Sequence, residues 1–374
     1  RLALPRIAQL PQLADAQEVV ETIKLRFDQV GYKRDPVWAA ASNDAGNLAR
    51  MIEKAEPEVR EKAPAALRAD VSARLEKIKA NLSPLQQALR EKDITATTRT
   101  QAAIANGLAD LQLALLPDKS LPYEVPEQWA RLPQLRGRAV VEMKLEKGKG
   151  NNKRFCAETG NLYAGRYGMT FTEMKEEDAD IKGFECAPEN TASGATIRLT
   201  LDGYHAPVTA GNFVSLVKSG FYDNMAIQQI TDLSIQTGNA AKAGKAGQKP
   251  APIPLEIFYR RDPKPTYSFT SDEDRRADET LALPFQSYGA LGMARDSADF
   301  GAEVDNDSAT SEFFFVKYDQ ALLPPGRNTL DGAYSCFGYT SEGATYLKQV
   351  QLGDVIKSAK VVSGLENFLP GAKS

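Results

Sequence analysis

The chain predicts a multidomain α + β protein: an N-terminal antiparallel helical bundle, then a half built mainly from strands. Three observations carry that prediction. Apolar residues recur at helical spacing between Val19 and Leu115, and from Ala195 the spacing changes to strict alternation. Between these regimes, Pro117, Pro122, Pro126 and Pro133 space a stretch that fits neither period. A length of 374 residues exceeds the usual single domain, which agrees with two.

The bundle is read from four segments. Val19, Ile23, Phe27 and Val30 form the first stripe, and Gly31 stops it. Asp35-Pro36 restarts a helix, with Asp35 as the N-cap and Pro36 at the first helical position. Its stripe runs Trp38, Ala41, Ala45, Leu48, Ile52, Ala55, up to Pro57. The third stripe is Leu67, Val71, Leu75, Ile78, Leu82, Leu85, Leu89, and Ser83-Pro84-Leu85-Gln86 reads as a capping box that restarts it. Ile104, Leu108, Leu111 and Leu115 make the fourth. Facing each other, these stripes form a core rather than a cofactor box. Residues 1 to 14, with Pro5 and Pro11, read as an irregular lead-in. The domains are thus 1–116 (bundle), 117–137 (a proline-stiffened linker whose apolar residues pack on the second domain) and 138–374 (strand-built), with an inserted segment at about 149–192.

Composition removes several function classes. The net charge of −3 lacks the basic surplus that neutralises phosphates, so no nucleic-acid partner is expected. No apolar run approaches a membrane span, which makes the protein peripheral to a membrane at most. The opening Arg1-Leu-Ala-Leu-Pro has no signal-peptide core, so Arg1 reads as a mature N-terminus. Cys156, Cys186 and Cys336 form no CxxC, and His205 is the single histidine. Zinc and triad chemistry are therefore not expected, and no metal or cofactor is assigned. Cys156 and Cys186 flank the insertion and are open to two readings, a disulfide or free buried thiols. Asp305-Asn306-Asp307 lacks the calcium-loop register, and Gly148-Lys149-Gly150 lacks the features of a phosphate cradle.

From Ala195, Ile197, Leu199 and Leu201 alternate with polar residues as a half-buried strand, and a helix follows over Val208 to Lys218. Short strands are expected at Ile227–Ile230 and Ser234–Gln236, after the turn Gly220-Phe-Tyr-Asp223. With Gln236-Thr-Gly238, Gly289-Ala-Leu-Gly-Met293-Ala294-Arg295, Ser311-Glu312-Phe313-Phe314-Phe315 and Leu330-Asp331-Gly332-Ala-Tyr334-Ser-Cys-Phe337-Gly338, this order resembles the cyclophilins, the barrel-shaped peptidyl-prolyl isomerases. The resemblance implies a cyclophilin-like closed β-barrel with flanking helices. Leu121-Pro122-Tyr-Glu-Val125-Pro126, Val361-Val362-Ser363-Gly364-Leu365-Glu366-Asn367 and the pair Ile227-Gln228 are similar to the forty-kilodalton thylakoid-lumen branch of chloroplasts. The bundle is similar to the Q-type extrinsic subunits of photosystem II.

Isomerisation about an X-Pro bond faces a barrier of about 20 kcal/mol. It needs an apolar pocket and a donor that favours the twisted amide, rather than a nucleophile. The resemblance places the catalytic arginine at Gln229, where the chain offers an uncharged amide. It places the peptide groove at Ile227, Gln228, Gln236, Met293, Ala294, Arg295, Glu312, Phe314, Thr329 and Tyr334. Glu312 stands where the family has glutamine, Tyr334 where it has histidine, Thr329 where many members have tryptophan, and Arg295 where it has asparagine. Arg295 is the alternative source of the missing charge. The reading that follows is an assembly, chaperone or scaffold factor for photosystem II or its intermediates, with weak or absent isomerase activity, in the chloroplast thylakoid lumen or a cyanobacterial lumen or periplasm. The alternatives are an active isomerase that assists folding and a stoichiometric subunit of a photosynthetic complex.

Overall fold

A computed structural model of the chain describes residues 10–116, 121–151, 154–156, 191–245, 250–295, 305–317 and 329–372. The chain divides into two compact units, residues 1–123 and 124–374. The proline-spaced stretch is shared between them.

The first unit holds helices α1 (Pro11–Val30), α2 (Asp35–Lys62), α3 (Arg68–Ala80), α4 (Leu82–Glu91) and α5 (Ile94–Leu115). The apolar stripes meet in one core that includes Leu13, Ile23, Leu48, Leu75, Leu85 and Leu108. Gly107 lets α5 approach α3, because a Cβ there would lie 2.8 Å from Ile78 Cγ1. No helix among the described residues is long and apolar enough to cross a membrane.

Several local expectations are corrected. Helix α1 begins at Pro11, inside the expected lead-in, because Leu10 and Leu13 join the core. Asp35 is the first residue of α2 rather than its cap. Arg34 holds the cap position without a side-chain bond, and the Asp35 carboxylate pairs with Lys92 at 2.7 Å. Helix α2 runs through Pro57 to Lys62, with Val59 still buried in the core. The restart near Ser83 occurs, yet Asn81 is the cap position and Ser83 lies within the first turn, so no capping box forms. Asp93 does cap its own helix: it accepts from Ala96 N at 2.9 Å and starts α5.

In the second unit the strands are β1 (Gln134–Leu135), β2 (Arg138–Glu146), β3 (Phe155–Cys156), β4 (Thr191–Ala192), β5 (Gly194–Asp202), β6 (Met225–Ala226), β7 (Gln229–Ile230), β8 (Ser234–Thr237), β9 (Glu256–Ile257), β10 (Thr266–Tyr267), β11 (Ala290–Met293), β12 (Phe313–Val316), β13 (Cys336–Glu342), β14 (Val355–Ser363) and β15 (Phe368–Leu369). Nine of them form one curled antiparallel sheet in the order β6-β14-β2-β5-β13-β11-β12-β8-β7. Its two edges, β6 and β7, are one stretch of chain. The expected strand at Ile227–Ile230 is therefore split. Ile227 N donates to Asp354 O on one side at 2.6 Å, and Gln228 N donates to Gln236 O on the other at 3.0 Å.

The core comes from alternation. Ala139, Val141, Met143 and Leu145 of β2 point inward beside Ala195, Ile197, Leu199 and Leu201 of β5. The helix Pro207–Lys218 brings Phe213 against Tyr222, Phe313 and Phe337, with ring centroids 5.0 to 5.1 Å apart. Val125, Trp129 and Leu132 pack on this core. A short helix spans Ala344–Leu347. Most of the 149–192 insertion lies outside the described residues, and so does Cys186. The insertion's base is the pair β3 and β4. Cys336 is buried, and burial pushes its thiol up to about 12, away from nucleophilic use.

Candidate functional site

A row of paired residues crosses the outer face of the sheet. Gln229 pairs with Gln236, Gln236 with Phe314, and Phe314 with Gly292. Residues opposite one another in a ladder share a face, and so do alternate residues of one strand, which adds Glu312 to the same face.

Phe314 lies over Gly292, where a Cβ would come within 2.1 Å of Phe314 Cζ. Gly292→Ala must therefore displace that ring, and urea denaturation is expected to show a loss of about 1–3 kcal/mol. The ring is only 5% exposed. Phe285 stacks on it at 5.8 Å between centroids, and Tyr334 meets it edge-on at 5.4 Å. Phe285 itself is fully buried, and its backbone N–H donates to Asp331 Oδ1 at 2.7 Å. The apolar end of the row is thus filled by the chain's own aromatic.

The other end is polar and more open. Gln229 is exposed, while Gln236, Asn239 and Glu312 are half-buried. Glu312 Oε1 accepts from Gln236 Nε2 at 2.7 Å, and Oε2 accepts from Asn239 Nδ2 at 2.9 Å. The Asn239 amide has a fixed direction, because its Oδ1 accepts from Lys242 N at 3.0 Å. Gln228 is occupied with the Asn239 backbone: its Nε2 donates to the carbonyl at 3.0 Å and its Oε1 accepts from N at 2.9 Å. Gln228 therefore positions Asn239 rather than facing the groove.

Four further groove assignments are placed as follows. Ile227 and Met293 belong to the barrel interior, at 2% exposure each, because Met293 pairs with Phe313 on the inner face. Ala294 prolongs the ladder, donating to Glu312 O at 2.9 Å. Thr329 is exposed at the head of the turn that carries Tyr334. Arg295 lies on the β11 side, three strand spacings or roughly 14 Å from Gln229. Its Nε donates to Ala333 O at 3.0 Å, its Nη1 to the Asn306 side chain, and its guanidinium lies 5.3 Å from the Tyr334 ring centre. That charge is turned away from Gln229 and does not replace the arginine. Phe285, Asn239 and Asp331 are the site residues that sequence reasoning missed. The placement of Asn239 straight after Gln236-Thr-Gly238 was the signal available for it.

A second buried carboxylate ties β9 to a helix start. Glu256 of β9 accepts from Val208 N at 3.1 Å, from Thr209 N at 2.7 Å and from Thr209 Oγ1 at 2.6 Å, at the start of the helix Pro207–Lys218. Burial pushes its carboxyl up to about 7, against the pull of those donors. Asp202 goes the opposite way. Burial would raise it, but His205 and Arg138 outweigh that and hold it at about 2.

Residues 189–365 match the family described as cyclophilin type peptidyl-prolyl cis-trans isomerase. A Synechocystis protein named as a thylakoid lumen peptidyl-prolyl cis-trans isomerase is 30% identical over 99% of this chain and 83% of its own length. The chloroplastic peptidyl-prolyl cis-trans isomerases CYP38 and CYP37 of Arabidopsis thaliana are each 30% identical, over 79% and 78% of this chain. The chain spans 58% and 53% of those two relatives. With a curled antiparallel sheet, the motif order along it and a relative aligned over nearly its whole length, the chain belongs to the cyclophilin-type peptidyl-prolyl cis-trans isomerase family.

Proposed function

We propose that this chain binds proline-containing protein segments as an assembly, chaperone or scaffold factor, with weak or absent isomerase activity. Family membership supplies the ligand class. The observation that carries the reduced activity is Phe285 stacked on Phe314: a proline packing on the ring that the resemblance assigns to the groove wall would have to share it with Phe285. Gln229 adds to it, because a neutral amide stabilises a twisted peptide bond less than a charged donor does. The naming of the relatives supports action in a thylakoid lumen, of chloroplast or cyanobacterial kind. The likeness of the bundle to Q-type extrinsic subunits supports photosystem II, or its assembly intermediates, as the client.

Magnetisation-exchange NMR on a Xaa-Pro peptide tests the activity reading. Added at a hundredth of the peptide concentration, the protein is expected to leave cis–trans exchange near its uncatalysed rate of tens of seconds. Exchange accelerated to ordinary cyclophilin levels would instead establish the active-isomerase alternative. For the client, the protein is expected to co-sediment with photosystem II assembly intermediates in less than stoichiometric amount. Stoichiometric retention in the mature complex would favour a structural subunit.

A further inference from the structure

We propose that Glu312 makes the open half of the groove select client segments that carry lysine or arginine close to their proline. This rests on the peptide-binding reading above. Glu312 immediately precedes β12, two residues from Phe314, and its carboxylate bonds the Gln236 side chain. Each of its oxygens accepts one amide hydrogen from the protein. A carboxylate has about four acceptor positions, so both oxygens can take another donor. The two amides also hold the carboxylate in one place, which lowers the ordering cost of a partner.

The charges around Glu312 favour the same choice. Gln229 and Gln236 contribute none. Arg295 is committed to Ala333 O, Asn306 and the Tyr334 face. Lys317 donates to Thr231 O at 3.1 Å, beyond the other end of β12. Of Gln229, Gln236, Asn239 and Glu312, which make up the open half of the groove, Glu312 alone carries a formal charge, and it is negative. Relative to the motif that the chain resembles, an arginine has become Gln229 and a glutamine has become Glu312. Both changes move the same face toward negative charge, which repels acidic segments and attracts basic ones. Two residues along a strand is roughly 7 Å, so the matching cation lies within about two residues of the client's proline.

The test uses the full chain and two fluorescein-labelled hexapeptides that differ only in having lysine or glutamate before proline. Anisotropy titrations in about 20 mM salt are expected to show about tenfold tighter binding of the lysine peptide. The ratio should shrink in 300 mM salt, as exposed charges are screened. Glu312→Gln should bring it close to one. Gln229→Arg should lower it too, while leaving both Glu312 hydrogen bonds in place. Equal binding of the two peptides by the unaltered chain, or an unchanged ratio in Glu312→Gln, overturns the selectivity while peptide binding stands. If neither peptide binds, the peptide-binding reading falls, and the selectivity with it.

Discussion

Replacing Gln229 by arginine is expected to leave isomerase turnover almost unchanged, whereas replacing Phe285 by alanine in the same chain is expected to raise it by roughly 10²–10³. The two changes act on different requirements. Arginine restores a charged donor on β7, two strands from Phe314. On the reading proposed above, Phe285 stacked on Phe314 keeps a bound proline from packing fully on that ring, so the added donor gains little by itself. Alanine uncovers that ring but supplies no charge. Only together do they recreate both parts, so the effects should be far from additive, as for groups that act as a unit. Phe285 is fully buried, so its removal is expected to cost about 3–5 kcal/mol. Phe285→Leu keeps more of the packing and serves as the better-folded companion. Rates come from protease-coupled and magnetisation-exchange assays, with circular dichroism as the check on folding. A folded double variant with unaltered turnover would show that Phe285 is not what blocks the groove.

The second unit is expected to lose stability as pH rises from about 4.5 to above 7, because of Glu256. Its folded carboxyl titrates at about 7 and its ordinary value is 4.5. A group whose folded pKa is raised contributes fully below its unfolded value, and the contribution fades as pH climbs through the folded one. At about 1.4 kcal/mol per pH unit, that gap corresponds to about 3 kcal/mol. Asp202, held at about 2, acts with the opposite sign but only in strong acid, as pH falls below 3.8. Urea denaturation from pH 4 to 8, followed by the fluorescence of Trp129 in a Trp38→Phe background, reads the second unit. Glu256→Gln keeps an oxygen acceptor without the titration, and should flatten the pH profile. A profile that keeps its slope in this variant assigns the effect to another group. Glu256 ties β9 to the start of the helix Pro207–Lys218, so hydrogen exchange at Val208 and Thr209 should quicken in the same pH range.

Much of the fold was legible because its signals are local. The alternation in β2 and β5 and the helical stripes of α1 to α5 each follow from residues a few positions apart. Helix starts were less legible. Asp35 and Ser83 are good caps by composition, yet packing of the adjacent apolar residues set the boundaries elsewhere. In the site, Gln229, Gln236 and Phe314 were found by motif, and the pairing register then placed them in one row. Met293 was misplaced because a motif does not reveal which face of a strand a residue occupies. Only the pairing of Gly292 with Phe314 shows that Met293 points inward. Phe285 could not be found in this way. It lies in a stretch without periodicity, and its partner is 29 positions later.

The seam at Ile227-Gln228 also orders events in time. A chain that emerges from its N-terminus presents β2 and β6 long before β14, which belongs between them. Until Val355–Ser363 arrives, both have unpaired backbone edges, and the curled sheet stays open like an unfastened cuff. Closure is therefore a late, non-local step in a topology that is slow for that reason. During that interval the protein is itself an unfinished β-structure in need of protection.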